Sequence, residues 1–316
     1  MFLDRFLRRG SGPLILMYHR VAEPAVDPWG LAVSPANFRS QLDALAAARS
    51  VVSMTELVER LRHRAFRGDE IALTFDDGYS DNLRAAAPAL NAAKLPATLF
   101  VMTAAVGRER EFWWDELARL ILLPSGPARA AVTIGEASHD VRLGIGRADP
   151  LRRDAMLAVW RALRSRPLAE IEAVLDALAP TLGAPPADPA DFPLTARDLA
   201  GLAGGPFEIG GHTVTHPALT GLSEEAAAGE IAGGKLTAEA LIGRTISGFS
   251  YPYGDCDAAT AGRVERAGFR WACTTVGASV TPSTDPLLLP RVAVPDVPGD
   301  ELLRRLERIR PRRARA

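Results

Sequence analysis

The stretch Ile71-Ala72-Leu73-Thr74-Phe75-Asp76-Asp77-Gly78-Tyr79 decides the fold of this chain. It opens with an apolar run containing β-branched and aromatic residues, which predicts a buried strand over 71–75. The strand ends at Asp76 and Asp77, and Gly78 indicates a turn directly after them. Neighbouring side chains at a strand end point in different directions. One carboxylate can therefore bind a metal while the other stays free to accept a proton.

A second polar fragment, His212-Thr213-Val214-Thr215-His216, spaces two imidazoles four residues apart. That spacing brings both rings to one side of a helical turn or a tight loop. The fragment follows the strand-like residues Phe207-Glu208-Ile209. Each fragment alone also has an ordinary explanation, since Asp-Asp-Gly is common turn chemistry and His-x-x-x-His pairs arise by chance. Two strand ends that both carry ligand types, in a chain with only five histidines, favour a metal site.

Two imidazoles and one carboxylate, with water on the remaining positions, form an open catalytic site for a divalent metal. Zn²⁺ is the first expectation, and Co²⁺, Ni²⁺ and Fe²⁺ suit the same ligands. The two fragments therefore predict a metal-dependent hydrolase.

These fragments resemble a known family. Residues 74–79 and 212–216 resemble the first two motifs of the polysaccharide deacetylase family, also called the NodB-homology or carbohydrate esterase family 4 fold. Ser250-Tyr251-Pro252-Tyr253-Gly254 resembles its third motif, and the resemblance covers roughly residues 12–103 and 198–295. It implies that Asp76 is the general base. It also implies that the metal ligands are Asp77, His212 and His216.

The third motif departs from the family pattern at Ser250, where members of the family commonly carry an arginine that orients the base. Arg291, within Leu289-Pro290-Arg291-Val292-Ala293-Val294, is the predicted replacement on a short strand near the end of the fold. The alternative is a surface arginine on an edge strand.

The catalytic acid also departs from the family pattern. No Leu-x-x-His-Asp fragment occurs near the C-terminus, where many members keep this acid. The first predicted strand, Leu14–Tyr18, instead ends at His19. This order resembles the permuted poly-N-acetylglucosamine deacetylase branch, in which a first-strand Tyr-His supplies the acid. The resemblance implies that His19 is the acid, and the alternative is a structural histidine.

Four aromatic residues are candidates for substrate binding: Tyr251, Tyr253, Trp29 and Trp113. The first two belong to the third motif, whose Tyr253-Gly254 turn also offers a backbone N–H to an oxyanion. Trp29 lies in the loop after His19 and is expected on the face that carries the site. Trp113 could stack on a sugar ring, and core packing is its alternative.

Predicted strands alternate with helical segments, one of them near residues 82–94, on both sides of a long middle region. Such βα repeats imply a parallel sheet, and their number suits a complete or incomplete barrel. The family resemblance implies an α/β fold, a distorted (β/α)7 barrel of NodB-homology type with its site at the C-terminal ends of the strands.

The middle region, residues 104–197, is too long and too patterned to be a plain loop. We expect a helix-rich insertion with a hairpin over 132–143 and a helix from about 150 to 178, followed by a Pro-rich linker over 179–193. It could form a lid or one wall of a substrate cleft. The first part of the barrel then spans 1–103, the second part 198–300, and a basic tail 301–316.

Composition and termini limit the partners. The formal charge of −1 creates no field that favours nucleic acid, so no nucleic-acid partner is expected. Residues 1–9 are amphipathic but lack the long apolar run of a signal peptide or a spanning helix. The basic end is expected to be solvated, with contact to anionic lipid as the alternative. We expect a cytoplasmic protein, with loose membrane association as a further option, and leave the oligomeric state open.

The predicted reaction is hydrolysis of an N-acetyl group from an amino sugar of a glycan or glycan precursor. One alternative is an O-acetyl esterase or a deacylase of a small nucleotide- or lipid-linked sugar. A second alternative is a carbohydrate-binding scaffold without turnover. The intact Asp76, Asp77, His212 and His216 argue against the scaffold, whereas Ser250 and the absent C-terminal histidine favour it.

Overall fold

A computed structural model describes residues 12–124, 128–143 and 150–309 of the chain. The described residues form two compact units. The barrel unit contains residues 12–23, 31–106 and 194–309, and the insertion unit contains residues 24–30 and the described part of 107–193. The insertion expected over 104–197 overlaps the second unit. The expectations for residues 1–9 and for the last residues of the basic tail lie outside the described residues.

The elements follow one another along the chain in three groups. The first part of the barrel unit contains β1 (Leu14–Tyr18), β2 (Arg20–Val21), β3 (Ala32–Val33), α1 (Pro35–Ala48), β4 (Ser50–Val51), α2 (Met54–Arg62), β5 (Glu70–Phe75), a π-helix (Asn82–Ala86), α3 (Ala87–Ala93) and β6 (Ala97–Val101). The insertion unit contains α4 (Trp113–Leu122), β7 (Ala128–Ile134), β8 (Ala137–Leu143), α5 (Pro150–Leu163) and α6 (Leu168–Leu182). The second part of the barrel unit contains α7 (Ala196–Leu202), β9 (Phe207–Gly211), α8 (Glu224–Ile242), β10 (Gly248–Ser250), α9 (Ala258–Arg266), β11 (Trp271–Cys273), β12 (Val292–Ala293) and α10 (Gly299–Leu306).

The barrel unit is built on a parallel sheet with the strand order β11-β10-β9-β6-β5-β1-β12, and β4 pairs with β5 beside this path. Every residue of β5 and β6 is buried. Strands of a parallel sheet are covered on both faces, so they need continuous apolar runs rather than alternation. That requirement explains why residues 71–75 are recognisable as a strand from sequence.

The segment 289–293 connects the two edges of this sheet. Leu289 forms a parallel bridge with Cys273 of β11, and Val292 and Ala293 pair with Leu16 and Met17 of β1. The sheet therefore closes on itself through a short last strand. This arrangement is the distorted (β/α) barrel of NodB type that the sequence predicts.

Helix α8 packs directly on the loop that follows β9. Its N-cap is Ser223, whose side chain accepts a hydrogen bond from the Ala226 N–H, and it ends at Gly243 with a left-handed φ of 67°. A Cβ atom on Gly234 would lie 2.7 Å from the carbonyl carbon of Thr213. Only glycine allows the helix backbone to approach the loop this closely.

Some elements differ from the prediction. The helix expected over 82–94 begins as a π-helix, and the helix expected over 150–178 is divided into α5 and α6. Pro167 precedes α6 with an extended ψ of 143°. It lacks an N–H and disfavours a helical conformation for the residue before it, which favours the break between α5 and α6 at this point. Helix α6 also extends into the expected Pro-rich linker, as far as Leu182.

The insertion unit packs three helices and an antiparallel hairpin, β7–β8. Trp113 and Trp114 are buried and meet edge-on, with ring centroids 5.8 Å apart. Trp29 donates to the carbonyl oxygen of Trp114 at 3.4 Å, and its ring centroid lies 5.2 Å from that of Trp160. In neither unit is any described helix both long and apolar enough to cross a membrane.

Candidate metal and catalytic site

The two carboxylates of the first motif lie at the C-terminal end of β5, where the chain turns sharply. Asp77 and Gly78 have positive φ values of 72° and 98°. The Gly78 N–H donates to the Asp76 carbonyl oxygen at 2.9 Å. A Cβ on Gly78 would lie 2.8 Å from Cγ1 of Val101. Glycine is therefore required by both the conformation and the space, and the turn fixes the carboxylates before any ligand binds.

The C-terminal ends of β5 and β9, which lie on either side of β6 in the parallel sheet, bring Asp77 together with the two histidines. Potential ligand atoms of Asp77, His212 and His216 all lie within 4.8 Å of one another, and all three residues are buried. Oδ1 of Asp77 lies 3.5 Å from Nε2 of His212 and 3.6 Å from Nε2 of His216. One oxygen and two imidazole nitrogens therefore surround a single point, as the two motifs predict.

The tautomer of His212 is set by a backbone carbonyl. Nδ1 of His212 lies 2.7 Å from the carbonyl oxygen of Ser250, which can only accept, so Nδ1 carries a hydrogen. Nε2 therefore points toward Asp77 and is available as a ligand, the arrangement in which a metal-binding histidine donates its other N–H to the protein. The donor set and this orientation fit a divalent cation.

Burial and neighbouring charges set the protonation of the cluster. Burial lowers the pKa of His216 to about 3, with His212 adding to the effect, so its imidazole is neutral as a metal ligand must be. Burial raises the pKa of Asp77, but its contacts with the neighbouring histidines, first of all the hydrogen bond to His212, outweigh burial and lower it. For His212, burial lowers the pKa, and the Asp77 contact outweighs this and raises it.

Asp76 is held by a buried arginine. Nη1 of Arg291 donates to Oδ1 and Nη2 donates to Oδ2 of Asp76, both at 2.7 Å. The remaining N–H groups of Arg291 donate to the Thr274 carbonyl oxygen, to Thr74 Oγ1 and to Ser250 Oγ. Burial raises the pKa of Asp76, but the charge and hydrogen bonds of Arg291 hold it well below its usual range.

Ser250 contacts both the Asp76–Arg291 pair and the proposed metal ligand His212. Its hydroxyl accepts from Arg291 at 2.8 Å and donates to Oδ2 of Asp76 at 3.2 Å, while its carbonyl orients His212. The serine that departs from the family pattern therefore lies next to the guanidinium of Arg291, which enters from the last strand.

His19 follows β1 and is half-buried. Its charged form lowers the pKa of Asp76 and of Asp77, so its ring lies within electrostatic range of both carboxylates. The amide of Asn82 donates to the carbonyl oxygen of His19 at 2.9 Å. Asp81 accepts from the Val21 N–H at 3.0 Å and from Nε of Arg20 at 2.9 Å. Asp81 and Asn82 were missed by sequence reasoning, although they closely follow the first motif.

The four predicted substrate-binding aromatics lie in different places. The ring centroid of Tyr253 is 4.6 Å from that of His216, and Tyr253 has a positive φ of 59°. Tyr251 is fully buried and donates to the Leu287 carbonyl oxygen at 3.0 Å. Trp29 and Trp113 belong to the insertion unit. Contact of these four residues with a sugar stays a prediction.

The family model for polysaccharide deacetylases matches residues 63–122 and 197–272. The matched ranges contain Asp76, Asp77, His212, His216 and Ser250. Over these two ranges the chain is similar to the polysaccharide deacetylases. Its class of activity is that of a carbohydrate deacetylase, which is a hydrolase.

Solved structures show the fold of this deacetylase over nearly its whole length. The Streptococcus pyogenes deacetylase PplD is 17% identical, with 94% of this chain and 99% of that chain covered and a TM-score of 0.62. IcaB from Ammonifex degensii is 21% identical, with 94% and 96% covered and a TM-score of 0.61. A de-N-acetylase from Aggregatibacter actinomycetemcomitans is 14% identical, with 93% and 99% covered and a TM-score of 0.58. No curated protein matched the sequence.

Proposed function

We propose that this deacetylase uses a divalent cation, with Zn²⁺ as the first expectation, to remove N-acetyl groups from amino sugars of a glycan or glycan precursor. The observation that carries the proposal is the buried cluster of Asp77, His212 and His216 next to an ionised carboxylate, Asp76. The order of residues also supports the poly-N-acetylglucosamine branch, because His19 directly follows the first strand of the barrel. The structural similarity to a de-N-acetylase agrees with an N-acetyl substrate.

Asp77, His212 and His216 would hold the cation. A cation bound there would polarise the acyl carbonyl and lower the pKa of a water from about 15.7 towards 7. Fixing the carboxylate and the tautomer of His212 in advance avoids reorganisation during the reaction.

Asp76 accepts the proton of the attacking water. A carboxylate has about four lone-pair positions. Among the described residues, side chains fill two of these positions on Oδ2 and one on Oδ1. The second position on Oδ1 is therefore the one that we assign to the transferred proton. Arg291 keeps Asp76 ionised and fixes its plane, so that the base stays oriented towards one point.

His19 protonates the departing nitrogen. The oxygen of water adds to the carbonyl carbon, the carbon–nitrogen bond breaks, and the electron pair remains on the amine. An amine leaves readily only when it is protonated, and an imidazolium is a suitable donor near neutral pH. The products are acetate and the free amino sugar. An ester releases an alcohol instead, which depends less on this acid.

The test is acetate release from N-acetylated and O-acetylated sugars, in polymeric, nucleotide-linked and lipid-linked form, with Zn²⁺-loaded protein. We expect release from the N-acetylated polymers or precursors and loss of release in Asp76→Asn and after chelation. Asp43→Asn, at an exposed position of α1, is the matched control and keeps the activity. Release only from O-acetylated sugars would instead identify an esterase. Metal binding with sugar binding but no release would indicate a binding scaffold.

A further inference from the structure

The loop between the two histidines is fixed by a carboxylate from helix α8. The Val214 and Thr215 N–H groups donate to Oε2 of Glu230 at 2.9 and 2.8 Å. The hydroxyl of Thr215 donates to Oε1 of Glu230 at 2.6 Å. Hydrogen bonds to a charged acceptor are about twice as strong as neutral ones. One glutamate therefore holds two consecutive peptide N–H groups and a side chain of this loop.

The other side of the same loop is fixed by the barrel. The carbonyl oxygen of Thr213 accepts from the Thr103 N–H at 3.2 Å, and that of Val214 accepts from the Ala104 N–H at 2.9 Å. The residues after β6 thus pair with the loop carbonyls, and Glu230 pairs with the loop N–H groups. Each partner satisfies backbone groups that the other does not reach.

This loop needs external support because of its conformation. Thr213 and His216 both have left-handed φ values, 66° and 63°. Residues other than glycine adopt this region at a cost, and they keep it only where the surroundings enforce it. The close approach of α8 at Gly234 places Glu230, one turn earlier on the helix, beside the loop.

We propose that Glu230 is a positioning residue for the metal site, acting through the loop 213–215 on His216. The inference rests on the metal site of the proposed function. His212 is fixed independently, because it follows β9 and its ring is oriented by the Ser250 carbonyl. His216 comes after the tethered residues, and its N–H donates to Oγ1 of Thr213 at 2.9 Å. Loss of Glu230 therefore displaces His216 first and weakens the affinity for the cation.

A neutral side chain of the same shape can keep most of these hydrogen bonds, although each is weaker than one to a carboxylate. In Glu230→Gln, the amide oxygen can still accept from both N–H groups, and the amide nitrogen can donate to the Thr215 hydroxyl. Glu230→Ala leaves all of these groups without their acceptor. Glu225→Ala is the matched control, because Glu225 lies on the same helix and is exposed.

The experiment is a titration of metal-free protein with Zn²⁺ in competition with a chromogenic chelator, together with circular dichroism of each variant. For Glu230→Ala we expect the Kd for Zn²⁺ to rise about 10–100-fold, the usual effect of removing an outer partner of a ligand. Glu230→Gln should stay within about threefold of the wild type, because most of the hydrogen bonds survive. Glu225→Ala should leave the Kd unchanged.

A folded Glu230→Ala protein with the wild-type Kd would overturn the inference while leaving the metal site intact. If Glu230→Ala does not fold, Thr215→Val removes one of the same contacts from the loop side. It should raise the Kd about three- to tenfold, and an unchanged Kd would overturn the inference equally. Wild-type protein that binds no Zn²⁺ would refute the metal site of the proposed function, and the role of Glu230 with it.

Discussion

Arg291 binds both oxygens of Asp76 at 2.7 Å, although 215 positions separate the two residues in the sequence. Both side chains are buried, so neither charge is stabilised by bulk water. Such a pair fixes the plane of the carboxylate as well as its charge. The orientation of the proposed base thus depends on a residue from the far end of the fold.

Arg291→Ala should abolish activity and destabilise the protein by about 3–5 kcal/mol, because it leaves a buried carboxylate without its partner. Arg291→Lys should recover part of the stability but little of the activity, since an ammonium cannot bind both oxygens in parallel. Urea unfolding and turnover measure the two effects. Arg266→Ala, on an exposed part of α9, is the control. Normal activity in Arg291→Ala would exclude a role for Arg291 in orienting the base.

The free energy of unfolding that the ionised Asp76 contributes should decrease as the pH falls. Its pKa in the folded protein lies below the value of about 3.9 expected for an unfolded chain. The contribution is therefore complete above that unfolded value and decreases as the pH falls through the folded pKa. Metal-free wild type should lose more stability than Asp76→Asn between pH 5 and pH 3, by our estimate about 1 kcal/mol or more. Parallel acid dependence of both proteins would contradict the lowered pKa.

The affinity for Zn²⁺ should increase with pH. The contact with Asp77 raises the pKa of His212 above its ordinary value of about 6.5, so a proton occupies Nε2 in the metal-free protein at lower pH. The cation must displace this proton, which weakens binding by up to about tenfold per pH unit below the folded pKa. Zn²⁺ titrations at pH 6, 7 and 8 measure the slope. A Kd that is constant over this range would show that no proton is displaced.

His19→Ala should reduce turnover about 10²–10⁴-fold while leaving the Kd for Zn²⁺ unchanged, because the proposed acid is not a metal ligand. His212→Ala should lose both properties. His63→Ala is the matched control, since His63 is exposed on the barrel unit. Full activity on an N-acetylated substrate in His19→Ala would remove it as the acid.

Asn82→Ala should lower kcat with little effect on the Kd for Zn²⁺. The Asn82 amide donates to the carbonyl oxygen of His19, and its loss frees the backbone that carries the proposed acid. An unsatisfied acceptor at this position costs about 1–3 kcal/mol of stability. Asn91→Ala, at an exposed position of α3, should change neither quantity. An unchanged kcat in a folded Asn82→Ala protein would show that this bond does not position His19.

The fold was largely predictable because short stretches of the sequence indicate each of its main strands. Continuous apolar runs mark the buried strands, and the polar motifs begin where those runs end, so both motifs could be placed at strand ends from sequence. The π-helix over 82–86 and the break at Pro167 were not predicted. The apolar pattern passes through both positions, and backbone geometry rather than periodicity decides them.

The sequence indicated the candidate site residues but not the partners that hold them. The family resemblance supplied the roles of Asp76, Asp77, His212 and His216, and the structure brings these residues together. Arg291 was proposed from its sequence context, but its partners Thr74, Ser250 and Thr274 come from distant segments. The sequence did not indicate a role for Glu230, because a glutamate on a helix usually faces solvent. Only the packing of α8 on the loop points to the role that we propose for it.

The segment that joins the two edges of the sheet also carries Arg291. The segment that closes the barrel therefore also places a guanidinium counterion beside Asp76. Before residues 289–293 dock, the aspartate has no guanidinium beside it, and burying it would favour the protonated acid. Closure of the barrel therefore supplies the partner that favours the charged form of this carboxylate. In this chain the segment that completes the sheet also stabilises the charge of the proposed base.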